Sequence, residues 1–123
     1  MGAVGDQFYD DVLREIGAGV TTENLRACHA WQAAEGGNAS WNPWNTTEPA
    51  PGAKDYNSVG VKIYPNARTG IAATVKTLLN GHYAQILAAF SRGNQGLHVC
   101  ECIDASVWGT KHAEDVYKKL YPH

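Results

Sequence analysis

The segment 36–57 constrains the fold more than any other part of this chain. It contains Pro43, Pro49 and Pro51, and proline removes a backbone hydrogen-bond donor and interrupts both helices and sheets. Three asparagines in the first half of the segment favour turns. A loop this long in a small protein is often functional. We therefore expect an ordered loop between helical regions, and a candidate site beside it.

Helical spacing of apolar residues precedes this loop. The pattern predicts a first helix over about residues 6–18 and a second over about residues 23–35. Thr21 or Thr22 is the expected N-cap of the second helix. The Gly36 and Gly37 pair is expected to stop that helix.

One short strand pattern and four further helices follow the loop. Residues 61–64 alternate apolar and polar side chains, which predicts a strand paired with residues 55–58, with Gly60 near the turn. The predicted fold class is mainly helical (α+β), a single domain over 1–123 with one short hairpin after the second helix. The later helices are predicted at about 67–79, 82–91, 97–102 and 111–120.

Composition excludes several function classes. Hydrophobic residues make up 44% of the chain and charged residues 18%, with a net charge of −2, which is an ordinary globular balance. No cluster of Lys and Arg predicts nucleic-acid binding, and no apolar run is long enough to predict membrane insertion. Residues 1–8 lack the pattern of a signal peptide, and we expect a monomer.

Cysteine and histidine positions predict neither a metal site nor a cofactor. The odd number of cysteines predicts reduced, buried thiols at Cys28, Cys100 and Cys102. A disulfide from Cys28 to one of the other two is the alternative, and a Cys–His hydrolase that uses Cys28 is a more remote one. The five histidines show no metal-ligand spacing.

Glu35 is the residue with the strongest chemical signal. It lies in the last turn of the second predicted helix, where the helix dipole disfavours a carboxylate. The flanking residues 33–37 offer no positive charge, and Trp31 lies one turn earlier. Glycosidic bond cleavage requires a carboxylic acid that is still protonated near neutral pH. Glu35 is thus a candidate general acid; position alone also fits a solvated glutamate without a role.

Three of the four tryptophans lie close to this position. We predict that Trp31 is a core residue and that Trp41 and Trp44 are partly exposed beside a cleft, because aromatic rings can stack on the apolar face of a sugar. Trp108, followed by Gly109 and Thr110, is predicted to be a buried anchor before a helix cap.

Several blocks occur in an order that resembles lysozyme-like domains of phage and actinobacterial origin. The blocks are AEGG at 34–37, NPWNTT at 42–47, DYNSVGVKIYP at 55–65 and GIAAT at 70–74, with SVWGT at 106–110. The resemblance covers about residues 25–92 and extends more loosely to bacterial glucosaminidases and soluble lytic transglycosylases. The segment 60–63 departs from the transglycosylases because it lacks their glutamine.

This resemblance implies a lysozyme-like, two-lobed fold that cleaves bacterial peptidoglycan, with Glu35 as the catalytic acid. It further implies a phage lysin or virion-associated lysin, made in the host cytoplasm and released to the cell wall or carried in a virion. Two rival interpretations are a glycan-binding module that does not cleave and a structural module of a phage particle.

A second carboxylate, which would activate water or stabilise the transition state, has two candidates. Asp55 at the start of the hairpin is the first and Glu48 in the loop is the second. The two carboxyl groups lie about 5 Å apart in retaining glycosidases and about 6.5–9.5 Å apart in inverting ones. The alternative is a mechanism with one glutamate, in which the substrate's own N-acetyl group or hydroxyl attacks. The predicted sugar-binding residues are Trp41, Trp44, Asn45, Thr47, Tyr56, Asn57, Ser58 and Tyr64.

Overall fold

The computed structural model describes residues 4–122; residues 1–3, on which the signal-peptide expectation partly rests, and His123 lie outside the described residues. The predicted fold class is confirmed, because this region is mainly helical with a short hairpin after the second helix. Its elements are α1 (Asp6–Glu15), α2 (Thr22–Glu35), β1 (Lys54–Asp55), β2 (Lys62–Ile63), α3 (Ala67–Leu78), α4 (Ala84–Arg92), α5 (Gly96–Ala105) and α6 (Ala113–Leu120).

Helix α2 is the central element. It packs against α1, α5 and α6, and its small buried residues, among them Ala27 and Ala30, allow these helices to approach closely. The Thr21 side chain caps it by accepting a hydrogen bond from the Asn24 backbone N–H at 3.1 Å. The fully buried Asn24 amide donates to the backbone oxygens of Gly19 and Phe90, both at 2.9 Å. The position of α2 is thereby fixed relative to α4 as well.

Several predicted boundaries differ from the structure. Helix α4 begins at residue 84 rather than 82, and α5 ends at residue 105 rather than 102. Helix α1 ends at Glu15 rather than near residue 18, because Gly17 adopts a left-handed conformation with φ 79°. The hairpin strands have only two residues each. The Asn57 side-chain oxygen accepts hydrogen bonds from the backbone N–H groups of Val59 and Val61, so the turn begins earlier than predicted. Helix α6 begins at residue 113 rather than 111, where the Asp104 carboxylate accepts its first N–H groups.

The loop between α2 and the hairpin is held by its own polar groups. The buried Asn42 amide donates to the backbone oxygens of Thr46 and Lys62, both at 2.8 Å. The Thr46 hydroxyl lies 2.8 Å from the hydroxyl of Thr77 on α3. Such bonds replace the helix or sheet ladders that the prolines exclude. The loop is therefore ordered and is hydrogen-bonded to both the hairpin and α3.

Buried side chains from α1 to α6 belong to one hydrophobic cluster. Within residues 4–122, no helix combines the length and apolar character needed to cross a membrane.

Candidate active site

Glu35 is the last residue of α2, and the chain turns away immediately after it. Gly36 follows in the left-handed conformation, with φ 64°, and ends the helix as predicted. The last turn of α2 contains no basic residue, and the Glu35 side chain is half-buried. The carboxyl group therefore stands at the negative end of the helix dipole without a cation in its own helix turn.

Both oxygens of the Glu35 carboxyl group accept hydrogen bonds from distant parts of the chain. The Asn45 amide donates to Oε1 at 3.0 Å and to the backbone oxygen of Glu35 at 3.0 Å. The Thr110 hydroxyl donates to Oε2. Asn45 comes from the loop and Thr110 from the segment before α6, so the two donors hold the carboxyl group in one orientation.

A group of packed tryptophans supports these contacts. The indole N–H of Trp31 donates to the Thr110 hydroxyl oxygen at 3.0 Å. Trp31 stacks on Trp44 with ring centroids 4.0 Å apart and contacts Trp108 edge-on at 4.8 Å. The indole N–H of Trp108 donates to the Trp44 backbone oxygen at 2.8 Å. These contacts join the loop after α2 to the segment between α5 and α6, next to Glu35.

A polar cleft of about 220 Å³ lies beside Asn45. A second cavity of about 320 Å³ adjoins it, with Tyr83 and Val107 in the wall of both. The rings of Tyr83 and Trp108 are in contact, with centroids 5.2 Å apart. The cleft combines hydroxyls, an amide and aromatic surface, the groups that recognise sugars; its lining residues are Asn45, Thr46, Thr47, Thr77, Tyr83, Val107 and Trp108.

The prediction that Trp44 is partly exposed is wrong. Its side chain is 1% exposed, because the ring lies against Trp31 and also stacks on Tyr9 at 5.7 Å. Its indole N–H donates to the backbone oxygen of Cys28 at 3.2 Å. Trp31 is fully buried, as predicted, and Trp41 is half-buried but stacks on Phe8 of α1 rather than lining the cleft.

Of the predicted sugar-binding residues, Asn45 and Thr47 line the cleft. Tyr64 is 1% exposed, and its hydroxyl donates to the backbone oxygen of Glu48 at 2.7 Å, so it is a packing residue. The remaining predicted residues, Tyr56, Asn57 and Ser58, lie in the hairpin turn with exposed side chains.

Both candidates for a second carboxylate are paired with lysines. Asp55 lies 2.5 Å from Lys62 with its side chain 66% exposed. Glu48 lies 3.4 Å from Lys76 and is 21% exposed. Among the described residues, neither belongs to the lining of the 220 Å³ cleft; Glu35 is also outside that lining and is connected to it through Asn45.

Residue types and spacing do not mark Thr110 or Tyr83 as site residues. The sequence places Thr110 only beside a predicted helix cap, whereas in the structure its hydroxyl donates a hydrogen bond to Glu35. The SVWGT block at 106–110 was the available signal for it. Trp108, expected to be a buried anchor, is half-buried and also lines the cleft. No local pattern marked Tyr83, which is the residue before α4.

The cysteines are free and buried, as predicted. Burial raises the pKa of the Cys100 thiol to about 12, and it also raises the pKa of Cys28 and Cys102. Thiolates are the reactive form, so we expect iodoacetamide to label the native protein slowly near pH 8. All three thiols should react rapidly after denaturation. Mass spectrometry of tryptic peptides measures both rates, and fast labelling of native Cys28 would instead support a thiol hydrolase.

Within the described residues, no group of three or more His, Cys, Asp or Glu side chains is placed to hold a metal ion. No protein-family model, curated protein or solved structure matches the chain. The function is therefore inferred from the geometry of the site and from the motif resemblance described above.

Proposed function

We propose that this protein is a lysozyme-like enzyme that cleaves the glycan strands of bacterial peptidoglycan, with Glu35 as the general acid. The observation that carries this proposal is the Glu35 carboxyl group, half-buried at a helix end and bonded by Asn45, a residue of the cleft wall. A phage lysin or a virion-associated lysin is the setting that the sequence resemblance favours.

Cleavage of the glycosidic bond requires a proton on the glycosidic oxygen. Glu35 transfers its proton to the glycosidic oxygen as the bond between that oxygen and the anomeric carbon breaks. The electron pair of the bond leaves with the departing sugar. A hydroxyl of the substrate, or a water that follows prior attack by the N-acetyl oxygen, then adds to the anomeric carbon and returns its proton to the Glu35 carboxylate. The Asn45 amide nitrogen is bonded to Glu35, so the Asn45 amide oxygen and the Thr47 hydroxyl supply the hydrogen bonds for the N-acetyl and hydroxyl groups of the sugar. The rings of Tyr83 and Trp108 offer apolar surface.

We further propose that the reaction uses Glu35 without a second carboxylate in contact with it. Asp55 is paired with Lys62, and Glu48 with Lys76. The Glu35 carboxyl group instead accepts its hydrogen bonds from Asn45 and Thr110. This favours attack by the substrate's own N-acetyl group or hydroxyl, the alternative that the sequence left open.

The test of the proposed function is digestion of purified peptidoglycan from several cell-wall types, with mass spectrometry of the soluble products. We expect muropeptides, and their ends separate the reactions: reducing ends mean hydrolysis, whereas anhydro ends mean intramolecular attack by a substrate hydroxyl. If the protein sediments with the sacculi but releases nothing at any pH, the enzyme proposal fails and a glycan-binding module replaces it.

Tyr83→Ala should weaken glycan binding if the cleft is the binding site. We expect about a tenfold loss of affinity, which corresponds to about 1.4 kcal/mol, for an N-acetylglucosamine oligomer measured by calorimetry in a Glu35→Gln background. Tyr56→Ala, in the exposed hairpin turn, is the matched control and should bind nearly as well. The reverse order of effects would move the binding site to the hairpin.

A further inference from the structure

Thr110 is a buried hydroxyl that the reaction scheme above does not use. It is 3% exposed and lies in the segment between α5 and α6. Although 75 residues separate it from Glu35 in the chain, its hydroxyl is bonded directly to Oε2 of that residue. A buried threonine hydroxyl more often bonds to nearby backbone, because most side-chain hydrogen bonds are to backbone or water.

The direction of the hydrogen bonds follows from the groups involved. An indole N–H only donates, so Trp31 requires the Thr110 oxygen as its acceptor, at 3.0 Å. The Thr110 proton is then directed to the Glu35 carboxyl group. The result is an ordered chain from Trp31 through Thr110 to Glu35, in which the first residue is fully buried and stacked on Trp44.

These hydrogen bonds restrain the Glu35 side chain, which would otherwise rotate. A glutamate at a helix end has three side-chain torsions and faces solvent on one side. Asn45 holds Oε1 and Thr110 holds Oε2, so the plane of the carboxyl group is fixed by donors on both sides. General acid catalysis depends on such an orientation, and small misplacements of a reacting group can cost about 100-fold in rate.

We propose that Thr110 is a positioning residue for Glu35, anchored by the indole N–H of Trp31. This inference rests on the proposed function for its kinetic consequence, whereas the hydrogen-bond chain itself is independent of any activity. Thr110 therefore acts through Glu35 and has no contact of its own with the reacting sugar.

The kinetic test compares Thr110→Val with Thr110→Ser on soluble peptidoglycan fragments. The valine variant keeps the shape but loses the hydroxyl, and we expect kcat to fall about 10- to 100-fold with KM nearly unchanged. The serine variant keeps the hydroxyl and should restore most of kcat. Equal losses in both variants, or a change in KM alone, would overturn the positioning role. Thermal unfolding of each variant identifies any loss that comes from misfolding.

A spectroscopic test does not depend on activity. The ¹H–¹⁵N resonance of the Trp31 indole should shift with pH as Glu35 gains or loses its proton, because Thr110 links the two groups. We expect this shift to persist in Thr110→Ser and to disappear in both Glu35→Gln and Thr110→Val. A full shift in Thr110→Val would refute the hydrogen-bond chain. If the wild type were inactive, the proposed function would fail. The pH dependence of the indole resonance would still decide whether the hydrogen bonds from Trp31 through Thr110 to Glu35 exist.

Discussion

Glu35→Gln is expected to abolish release of soluble muropeptides while leaving the fold intact. The glutamine keeps the shape of the side chain and an acceptor oxygen, but its amide cannot protonate a departing sugar. Loss of a general acid costs about 10²- to 10⁴-fold in rate, which would bring the activity close to background in a turbidity assay. Product quantification by mass spectrometry measures what remains, and binding to sacculi should persist because the cleft wall is unchanged.

The matched control for this variant is Glu15→Gln. Glu15 is the last residue of α1, as Glu35 is of α2, but it is exposed on the surface. We expect wild-type activity from it. A Glu35→Gln variant that digests peptidoglycan as fast as the Glu15→Gln control would contradict the assignment of the acid.

The variants Asp55→Asn and Glu48→Gln test whether either of these carboxylates also takes part in catalysis. If Glu35 acts without a second carboxylate, both variants should remain active, with small changes from the lost lysine pairs. A loss comparable to that of Glu35→Gln in either variant would identify a second catalytic carboxylate and overturn the mechanism with one glutamate.

Gly37→Ala is expected to destabilise the protein severely and to disable the site at the same time. A Cβ atom at Gly37 would lie 1.9 Å from the backbone oxygen of Pro43, so the loop backbone itself has to move. Overpacking typically costs about 1–3 kcal/mol, and we expect the upper end of that range because the clash is with backbone; this is a large share of the stability of a small domain. The displaced loop would also withdraw Asn45 from Glu35.

Gly36→Ala is the control at the neighbouring position. Its Cβ would meet no atom within 4 Å, and only the left-handed backbone at φ 64° opposes it. That conformation costs about 1–2 kcal/mol for a residue with a side chain. Chemical denaturation of both variants gives the two free energies of unfolding. Equal losses would mean that the contact between Gly37 and Pro43 has no special role.

The elements that the sequence predicted correctly depend on contacts between near neighbours in the chain. Thr21 caps α2 through an N–H three residues away, and Asn66 caps α3 in the same way at 2.9 Å. Gly36 ends α2 because it tolerates a left-handed conformation. Such interactions span a few residues, so residue types and their spacing are sufficient to predict them.

The sequence by itself determined a helical protein with an ordered, proline-containing loop, a hairpin after α2, and a glutamate at the end of that helix. The tertiary structure alone decided which residues surround that glutamate. Burial of Trp44 depends on its stacking with Trp31 and Tyr9, and the bond between Thr110 and Glu35 joins residues 75 positions apart. A residue's type shows that it can be buried or can donate a proton, but its partner is set by how the helices pack, and local patterns do not contain that information.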